Sequence, residues 1–488
     1  MPDPSQVPAE DAPPKKGDRW LEFVYWTAGA LAGLAILGAL WLRRVDAEHQ
    51  RILREARAAV EGLRVPEVPD EDNAARLYEK AYTLFSIPAL DISRKYTGRL
   101  HEFELDIGSD EIAKLLADDA ACLAVLAQAA EEPTCIFTAD YSAGAHTKTP
   151  LLMEARAAAL LLEIAAKRAA HDGKYQEAMD RLRHALCLGR GIGRHGRSLE
   201  HMIGLAIEEI ALETLRDILI QAEPDAPSLQ SMLDVLQEHS AKRNPLCAAL
   251  RVGHLTAMLT AAEVTAGARR PPPSDWNEQV RFKLRRAAGR ELSDFLACNR
   301  QWARVEEALS KPYPEAFREM RGMTQRPEFL RQEEIADSPY LSGVFPACRN
   351  DARSVALLRC ARLAVACRLH KLRTGAPPAD LKELAGYFPA DFAQVAADPF
   401  NGKPMGYQRS ETGFILSSVG GYPEDNRNAA KQNIYYFSSN PTFAVDPKLW
   451  AEYRAERVQA LQKRAKPGPP PKPGVAAPRP PPPAPPAR

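Results

Sequence analysis

The feature that most constrains this chain is an apolar run from Phe23 to Leu42, which holds no charged side chain. As a helix with a rise of about 1.5 Å per residue, it would be about 30 Å long, the thickness of the hydrocarbon core of a bilayer. Trp20 and Trp41 lie near its two ends, where amphipathic aromatic rings prefer the membrane interface. The sequence therefore predicts that residues 23–42 form a transmembrane helix, whose partner is the lipid bilayer.

A cleaved signal peptide is the alternative interpretation of this run. Against it, the run is longer than the usual apolar core of about 7–15 residues, and no small-x-small cleavage site precedes Arg43 and Arg44. Residues 1–22 are rich in proline and charge, which predicts a disordered tail. We expect a single-pass protein of a bacterial cell membrane. The local count of Lys and Arg favours a cytosolic bulk, but large domains can translocate despite such charges, so the side that holds the soluble bulk stays open.

Small residues within the apolar run indicate a further contact. Gly29 and Gly33 form a G-x-x-x-G pattern flanked by alanines, and such a ridge lets two membrane helices approach closely. The alternative is that glycine is simply frequent in membrane helices. A homodimer through Gly29 and Gly33 is therefore one predicted interaction.

Composition narrows the functions that are open to the rest of the chain. Lys and Arg total 64 against 63 Asp and Glu, so no net field would attract nucleic acid, and no nucleic-acid partner is expected. The eight cysteines are scattered, with no C-x-x-C pair and no histidine pairing at zinc-ligand spacing. We predict that they are buried, small apolar side chains.

After a juxtamembrane segment at 43–70, residues 71–311 are predicted to be helical, because apolar side chains recur at spacings of three and four. Within them, residues 159–192 resemble one unit of the tetratricopeptide-repeat family, which implies two antiparallel helices that touch at alanines and turn at a glycine. A second unit is not apparent, so we predict an irregular, α-solenoid-like helical-repeat domain. The matching positions include Ala166, Gly173, Tyr175, Ala178 and Leu182.

The sequence pattern of the rest of the chain differs from the helical spacing of residues 71–311. Tyr407–Arg409 and Phe414–Val419 are predicted to form a hairpin, with Ile434–Phe437 as a third strand, because turn residues separate short β-prone runs. The predicted segments are, in order, a proline-containing linker at 312–350, a small α+β module at 351–446, a helix at 447–466 and a disordered proline-rich tail at 467–488.

The C-terminal module carries the string Asp398-Pro-x-x-Gly-x-Pro-x-x-Tyr407, which follows a helix and precedes the hairpin. This order resembles the globular domain of the type II secretion major pseudopilins over residues 353–426. In that family a calcium ion lies in the loop after the hairpin, so the resemblance implies Asp425 and Glu424 as weak candidate metal ligands. The family's processing site before the apolar run is missing, so a polymerising pseudopilin is not expected. Asp398 itself is predicted to accept a backbone N–H from its own turn.

Two further patterns have structural interpretations. Gly191, Gly193 and Gly196 match a dinucleotide-binding string, but a predicted helix precedes them where that site needs a strand, so an interhelical loop is expected. A basic cluster without interleaved aromatic residues predicts a solvated helix face. It consists of Arg281, Lys283, Arg285, Arg286 and Arg290.

No catalytic motif is apparent, since the sequence holds neither H-E-x-x-H nor G-x-S-x-G. We therefore predict no catalytic residue and no cofactor. The predicted fold is mainly α: one transmembrane helix, a helical-repeat domain and a small α+β module. This arrangement also resembles uncharacterised membrane-anchored bacterial proteins, which implies an organisation but no activity.

The predicted function is a membrane-tethered, non-catalytic scaffold or adaptor that presents a helical-repeat surface to protein partners. Two alternatives stay open. One is an accessory component of a secretion or pilus-like cell-envelope machine, and the other is an anchored hydrolase without a recognisable motif.

Overall fold

A computed structural model describes residues 16–65, 67–101, 106–137, 140–269, 286–324, 339–420 and 441–452, together with positions 283 and 455. The described residues are mainly helical, with one small antiparallel sheet near the C-terminus, so the predicted fold class is confirmed at this level. The helices of the body that precede the module are α2 (Ala74–Tyr82), α3 (Ala89–His101), α4 (Asp110–Asp118), α5 (Ala120–Glu131), α6 (Leu152–His171), α7 (Tyr175–Gly193), α8 (Ser198–Gln221), α9 (Ala226–Ala241), α10 (Leu246–Thr265), α11 (Arg290–Leu309) and α12 (Tyr313–Thr324).

The first helix, α1 (Lys16–Glu61), is continuous through the apolar run and well beyond it. Most side chains from Phe23 to Leu42 are exposed, which is unfavourable in water for so many large apolar groups. Beyond the run the same helix turns one apolar face onto α10, and its buried residues there include Ile52, Leu53 and Val60. One half of α1 is thus uncovered, and the other half belongs to the core.

Within the described residues, α1 is the one unbent helix that is long and apolar enough to cross a membrane; a signal sequence near the N-terminus would pass the same test. Helices α9 and α10 meet at a bend of 42°, and they pass the same test of length and apolarity only when they are counted together as one span. Their apolar side chains are instead part of the core, with Leu233 and Leu236 of α9 and Leu250 and Leu259 of α10 all buried.

Helices α6 and α7 form a hairpin at the centre of the body. Gly173 turns the chain with φ of +74°, a conformation that glycine adopts without steric cost. The amide of Lys174 donates to the carbonyl of Ala169 at 2.8 Å, and that of Gly173 to Ala170 at 3.1 Å, which is a Schellman cap. Ala178 is fully buried, since α7 packs closely on both α6 and α8. The predicted repeat character remains a prediction, because a hairpin alone does not define a repeat.

The long helix α13 (Pro339–Thr374) connects the helical body to the module. It packs on α8 and α9 with one part of its surface and on strands of the sheet with another. One hydrophobic core therefore runs from α2 to the last strand, and its buried members include Leu215 of α8, Leu363 of α13 and Phe443. The module also contains a 3-10 helix, Leu381–Tyr387, and the short helix α14 (Phe392–Val395).

The segment expected to be a linker, 312–350, differs from that expectation. It contains α12 and the first turns of α13, and Met320 and Val344 are buried in a second small core with Trp302. Pro314 and Pro339 are compatible with helix, because a proline in the first turn of a helix removes no hydrogen bond. These two prolines therefore marked the starts of α12 and α13, whereas Pro346 lies inside α13.

The sheet is antiparallel, with the order β1 (Gly406–Arg409), β2 (Phe414–Ser417) and β3 (Thr442–Val445). The predicted hairpin is confirmed, with Tyr407 opposite Leu416. Among the described residues the third strand of the sheet is β3; the predicted strand at 434–437 lies outside the described residues and stays a prediction. Gly413 allows this pairing, because a Cβ atom there would overlap the carbonyl of Val445.

Candidate functional site

A groove opens on the body between the α4–α5 pair and the α6–α7 hairpin. Its volume is about 310 Å³, at the lower end of the range for ligand pockets. The floor is apolar and built of small side chains, so a partner could approach the backbone closely. The floor residues are Leu116, Ala120, Leu123, Ala124, Ala165 and Ala169.

Charged side chains form the rim of this groove. Arg168 pairs with Asp172 at 2.9 Å, and Arg181 pairs with Glu177 at 3.3 Å. Lys174 is exposed at the turn between the helices. An apolar floor within a polar rim is the usual composition of a protein–protein contact. The groove is therefore suited to one or two apolar side chains of a protein partner whose flanking groups are polar.

A second constellation lies buried where α8, α9 and α13 meet. We call it the buried network; it consists of His201, Glu208, His239, Arg243, Asp351 and Ser354. Glu208 accepts from His239 Nε2 at 2.8 Å on one carboxylate oxygen and from the Ser354 hydroxyl on the other. Arg243 donates to Asp351 at 2.9 Å and lies 3.6 Å from Glu208. Its guanidinium therefore bridges the two buried carboxylates.

The electrostatics of this network keep Glu208 ionised. Burial alone would raise the pKa of the Glu208 carboxyl, but the charge of Arg243 and the hydrogen bonds from His239 and Ser354 lower it to about 2. Burial opposes the charge on Arg243 as well, yet Asp351 and Glu208 raise the pKa of its guanidinium. The network thus holds charges in the interior by pairing them, which is the condition under which buried charges persist.

The space beside this network is too small for a substrate. A cavity of about 10 Å³ lies against Glu208, His239 and Arg243, and a single water molecule needs about that much. The order of contacts also differs from a nucleophilic triad, in which the base must reach the serine hydroxyl. Here Ser354 and His239 bond to opposite oxygens of one carboxylate, so the geometry is that of a clasp between helices.

The glycine-rich stretch at the end of α7 serves helix packing. A Cβ atom on Gly204 of α8 would lie 2.5 Å from the carbonyl of Gly189, and one on Gly191 would lie 2.6 Å from Cys135 Sγ. Glycine therefore lets α7 and α8 touch through their backbones. The interhelical loop that was expected at Gly191, Gly193 and Gly196 begins only at Arg194, because Gly191 and Gly193 belong to α7; His195 within this loop has φ of +57°. Gly189 and Gly204 were not singled out from the sequence, because their contact becomes visible only in three dimensions.

A third polar cluster joins α6 and α8. Lys167 lies 2.8 Å from Glu163 and 2.9 Å from Asp217. Burial by itself would lower the pKa of Lys167, but the two carboxylates raise it. One turn earlier on α8, burial raises the pKa of Glu213 to about 7, and the neighbouring Glu209 and Asp217 add to the effect. This carboxyl lines neither the groove nor the cavity beside the buried network.

Asp398 is a structural centre of the module, as predicted. One oxygen accepts from the Phe400 amide at 2.9 Å and from the Ser418 hydroxyl at 3.0 Å, while the other accepts from the Val419 amide at 2.7 Å. Asp425 and Glu424, the weak metal candidates, lie outside the described residues. In the part of the chain that the structure describes, no group of three or more His, Cys, Asp and Glu could hold a metal ion.

The remaining residues that the sequence singled out lie apart from these sites. Gly29 and Gly33 lie on the uncovered half of α1, with no other side chain nearby. Lys283 is exposed, and Arg286 lies beside α1. Of the cysteines whose side chains the structure describes, seven are free and five of these are buried, and burial raises their pKa, as for Cys348 to about 11. Such thiols are poor nucleophiles at neutral pH.

Comparison with known proteins found no relative of this chain. No protein-family model, no curated protein and no solved structure matches the chain. The tetratricopeptide-like and pseudopilin-like resemblances therefore stay predictions that rest on the residues quoted above.

Proposed function

We propose that this protein is a membrane-tethered, non-catalytic scaffold that presents its helical body to a protein partner. The observation that supports the proposal most directly is helix α1, which carries an exposed apolar half and a buried half without a break. The apolar half has the length and composition of a bilayer span. The buried half begins at Val45, three residues after the apolar run ends.

This continuity defines the type of tether. A glycine- or serine-rich linker would let the body diffuse around its anchor, whereas a helix packed on α10 holds the body in one orientation. Three helical residues span only about 4.5 Å, so the body would sit directly at the membrane surface. A partner bound to it would then be held at a fixed height above the bilayer, which is what a scaffold requires.

The groove between α4–α5 and α6–α7 is the surface that we assign to the partner. Its apolar floor would receive an apolar side chain, and the rim groups Lys174 and Glu177 would contact polar groups on either side. A peptide or helix that carries one or two exposed apolar side chains fits this description. The repeat character predicted for residues 71–311 belongs to this proposal, since stacked helical hairpins commonly present such grooves.

The test compares two substitutions on one helix. Ala124 lines the groove and Ala121 does not, although both are exposed on α5. The full chain would be purified from membranes in mild detergent after brief chemical cross-linking, as wild type, Ala124→Arg and Ala121→Arg. We expect wild type and Ala121→Arg to retain the same protein in near-stoichiometric amount and Ala124→Arg to lose it. A wild-type chain that emerges alone, or a partner that Ala124→Arg retains, would contradict the proposal.

A second candidate function is an accessory role in a secretion or pilus-like machine. It is favoured by the C-terminal module, where a long helix leads to the Asp398 turn and a three-stranded sheet. The same purification separates the two candidate functions. If secretion components co-purify with wild type and with Ala124→Arg alike, their binding does not need the groove, and this result would favour the role of the C-terminal module. The homodimer through Gly29 and Gly33 is tested there as well, since Gly33→Ile should abolish any cross-linked dimer.

A further inference from the structure

The end of the apolar run contacts a distant part of the chain. Trp41 donates a hydrogen bond from its indole Nε1 to the backbone carbonyl of Ala287 at 3.2 Å. Gly289, two residues further on, has the ring of Trp41 and the side chain of Val45 within van der Waals distance of where a Cβ would lie. The start of α11 is therefore attached to α1 at the level where the apolar run ends.

This contact places the basic cluster at a defined height. Arg286 pairs with Asp46 of α1 at 3.3 Å, and Asp46 is four residues beyond Leu42, or about 6 Å along the helix. The headgroup layer on each side of a bilayer is about 5–8 Å thick. Arg286 therefore lies within that layer when residues 23–42 span the membrane. Of the cluster predicted to be a solvated face, the structure describes the side chains of Lys283 and Arg286.

Among the described side chains of residues 43–48 and 283–286, cations outnumber acidic groups. Arg43, Arg44 and Lys283 are exposed, and Arg286 is about one third exposed. Two acidic groups share the region: Asp46 pairs with Arg286, and Glu48 pairs with Arg51 one turn further along α1. The net charge of these described side chains is therefore positive, and Arg43, Arg44 and Lys283 form no salt bridge with an acidic group of the described residues.

We propose that Arg43, Arg44, Lys283 and Arg286 form a binding surface for anionic phospholipid headgroups. The inference rests on the proposed membrane tether and goes beyond it, because it names a lipid class. Lys and Arg near an anionic membrane surface each attract it, and the attraction acts within about one Debye length, which is about 8 Å at physiological salt. The surface would give the body a preference for anionic lipid that the apolar helix alone does not supply.

The experiment measures which lipids remain bound to the full chain. Protein in mild neutral detergent would be incubated with equal amounts of phosphatidylglycerol and phosphatidylcholine, and retained lipids would be counted by native mass spectrometry. The variant replaces Arg43, Arg44 and Lys283 by Gln. The control replaces the exposed lysines Lys114, Lys382 and Lys403 by Gln, which removes the same charge elsewhere.

We expect wild type and control to retain more phosphatidylglycerol than phosphatidylcholine. In the variant, the ratio of the two retained lipids should fall roughly five-fold for each cation removed. Equal retention of both lipids by wild type, or an unchanged preference in the variant, would overturn the proposal. So would full displacement of the lipid by millimolar inorganic phosphate, which would identify a site for the free anion. Retention in membranes after a high-salt wash is measured in parallel: a retained chain without lipid preference refutes only this inference, whereas a released chain refutes the tether.

Discussion

The carboxylate of Glu208 on α8 accepts a hydrogen bond from Nε2 of His239 on α9, at 2.8 Å in the interior of the body. The other oxygen of the same carboxylate accepts from Ser354 on α13. One ionised group therefore connects three helices that are up to 146 positions apart in sequence. The hydrophobic effect brings these helices together but is not directional, so such a group specifies how they are aligned.

Removing the charge of Glu208 should weaken the fold. In Glu208→Gln the shape is kept, but Arg243 and the ring of His239 lose the carboxylate that offsets their burial. Breaking a buried ion pair costs about 3–5 kcal/mol of the free energy of unfolding. Urea denaturation followed by circular dichroism measures it, with the exposed Glu411→Gln as control, expected within about 0.5 kcal/mol of wild type. Equal stabilities of the two variants would mean that the network does not hold the helices.

The same carboxylate predicts a dependence of stability on acid. The pKa of Glu208 is lowered from its usual value near 4.5 to about 2 in the folded chain. Its contribution is therefore fully present above the unfolded pKa and is lost as the pH falls from about 5 to 2, by up to about 3 kcal/mol. Melting temperatures measured between pH 7 and pH 3 should fall more steeply for wild type than for Glu208→Gln. Parallel curves would contradict the prediction.

The backbone contact between α7 and α8 gives a third prediction. Gly204→Ala would place a Cβ atom 2.5 Å from the carbonyl of Gly189, so the helices must separate. We expect a loss of about 1–3 kcal/mol in the free energy of unfolding. Gly322→Ala on α12 is the control, because nothing lies within 4 Å of its added Cβ, and it should stabilise by about 0.5–1 kcal/mol. Calorimetry of both variants checks the sign and the size of the change in the free energy of unfolding.

The two halves of α1 predict different outcomes for two truncations. Removal of residues 1–44 takes away the exposed apolar half and should yield a soluble, folded protein. Removal of residues 1–62 also takes away Ile52, Leu53 and Val60, each of which contributes about 1.5–3 kcal/mol by burial against α10. The longer truncation should therefore melt at a much lower temperature or aggregate, as seen by circular dichroism and gel filtration.

Two outcomes would contradict this prediction. Equal stability of the truncated chains would show that the second half of α1 is not part of the core. Pelleting of the shorter truncation with membranes after a high-salt wash would reveal a second membrane attachment. The intact mass of the full chain isolated from membranes separates an anchor from a signal sequence, since a cleaved chain would lack the apolar run.

Asp398 predicts the stability of the module. Asp398→Ala leaves the amides of Phe400 and Val419 without their acceptor in a buried turn, which should cost about 3 kcal/mol. Asp380→Ala is the control: its carboxylate also accepts an amide two positions on, but at an exposed site, and should cost about 1 kcal/mol. Hydrogen exchange of the β2 amides measures the loss of stability. Similar protection of these amides in Asp398→Ala and Asp380→Ala would show that Asp398 is not central to the stability of the module.

Local features of this fold could be predicted from the sequence. Gly173, for example, marks the turn of the α6–α7 hairpin because few other residues adopt its φ, and Tyr407 and Leu416 lie in the predicted hairpin. The long apolar part of α1 could likewise be predicted, because the run from Phe23 to Leu42 contains no charged residue.

The rest could not be predicted, because it depends on pairs that are distant in the chain. Nothing near Glu208 indicates that its partners are His239 and Ser354, and nothing near Trp41 indicates Ala287. Strand β3 was not predicted, because Thr442–Val445 is only four residues long, too short for periodicity to identify. Prolines were taken as linker signals at positions where they begin helices.

The position of the last strand has a consequence for the timing of folding. β3, at residues 442–445, covers part of α8, which ends at Gln221. A ribosome that adds about 5–20 residues per second needs roughly 10–45 s to travel between them. Throughout that interval the part of α8 that β3 covers stays uncovered, while α1 has already emerged. The proposed tether would confine the unfinished chain near one surface and limit its encounters with other nascent chains.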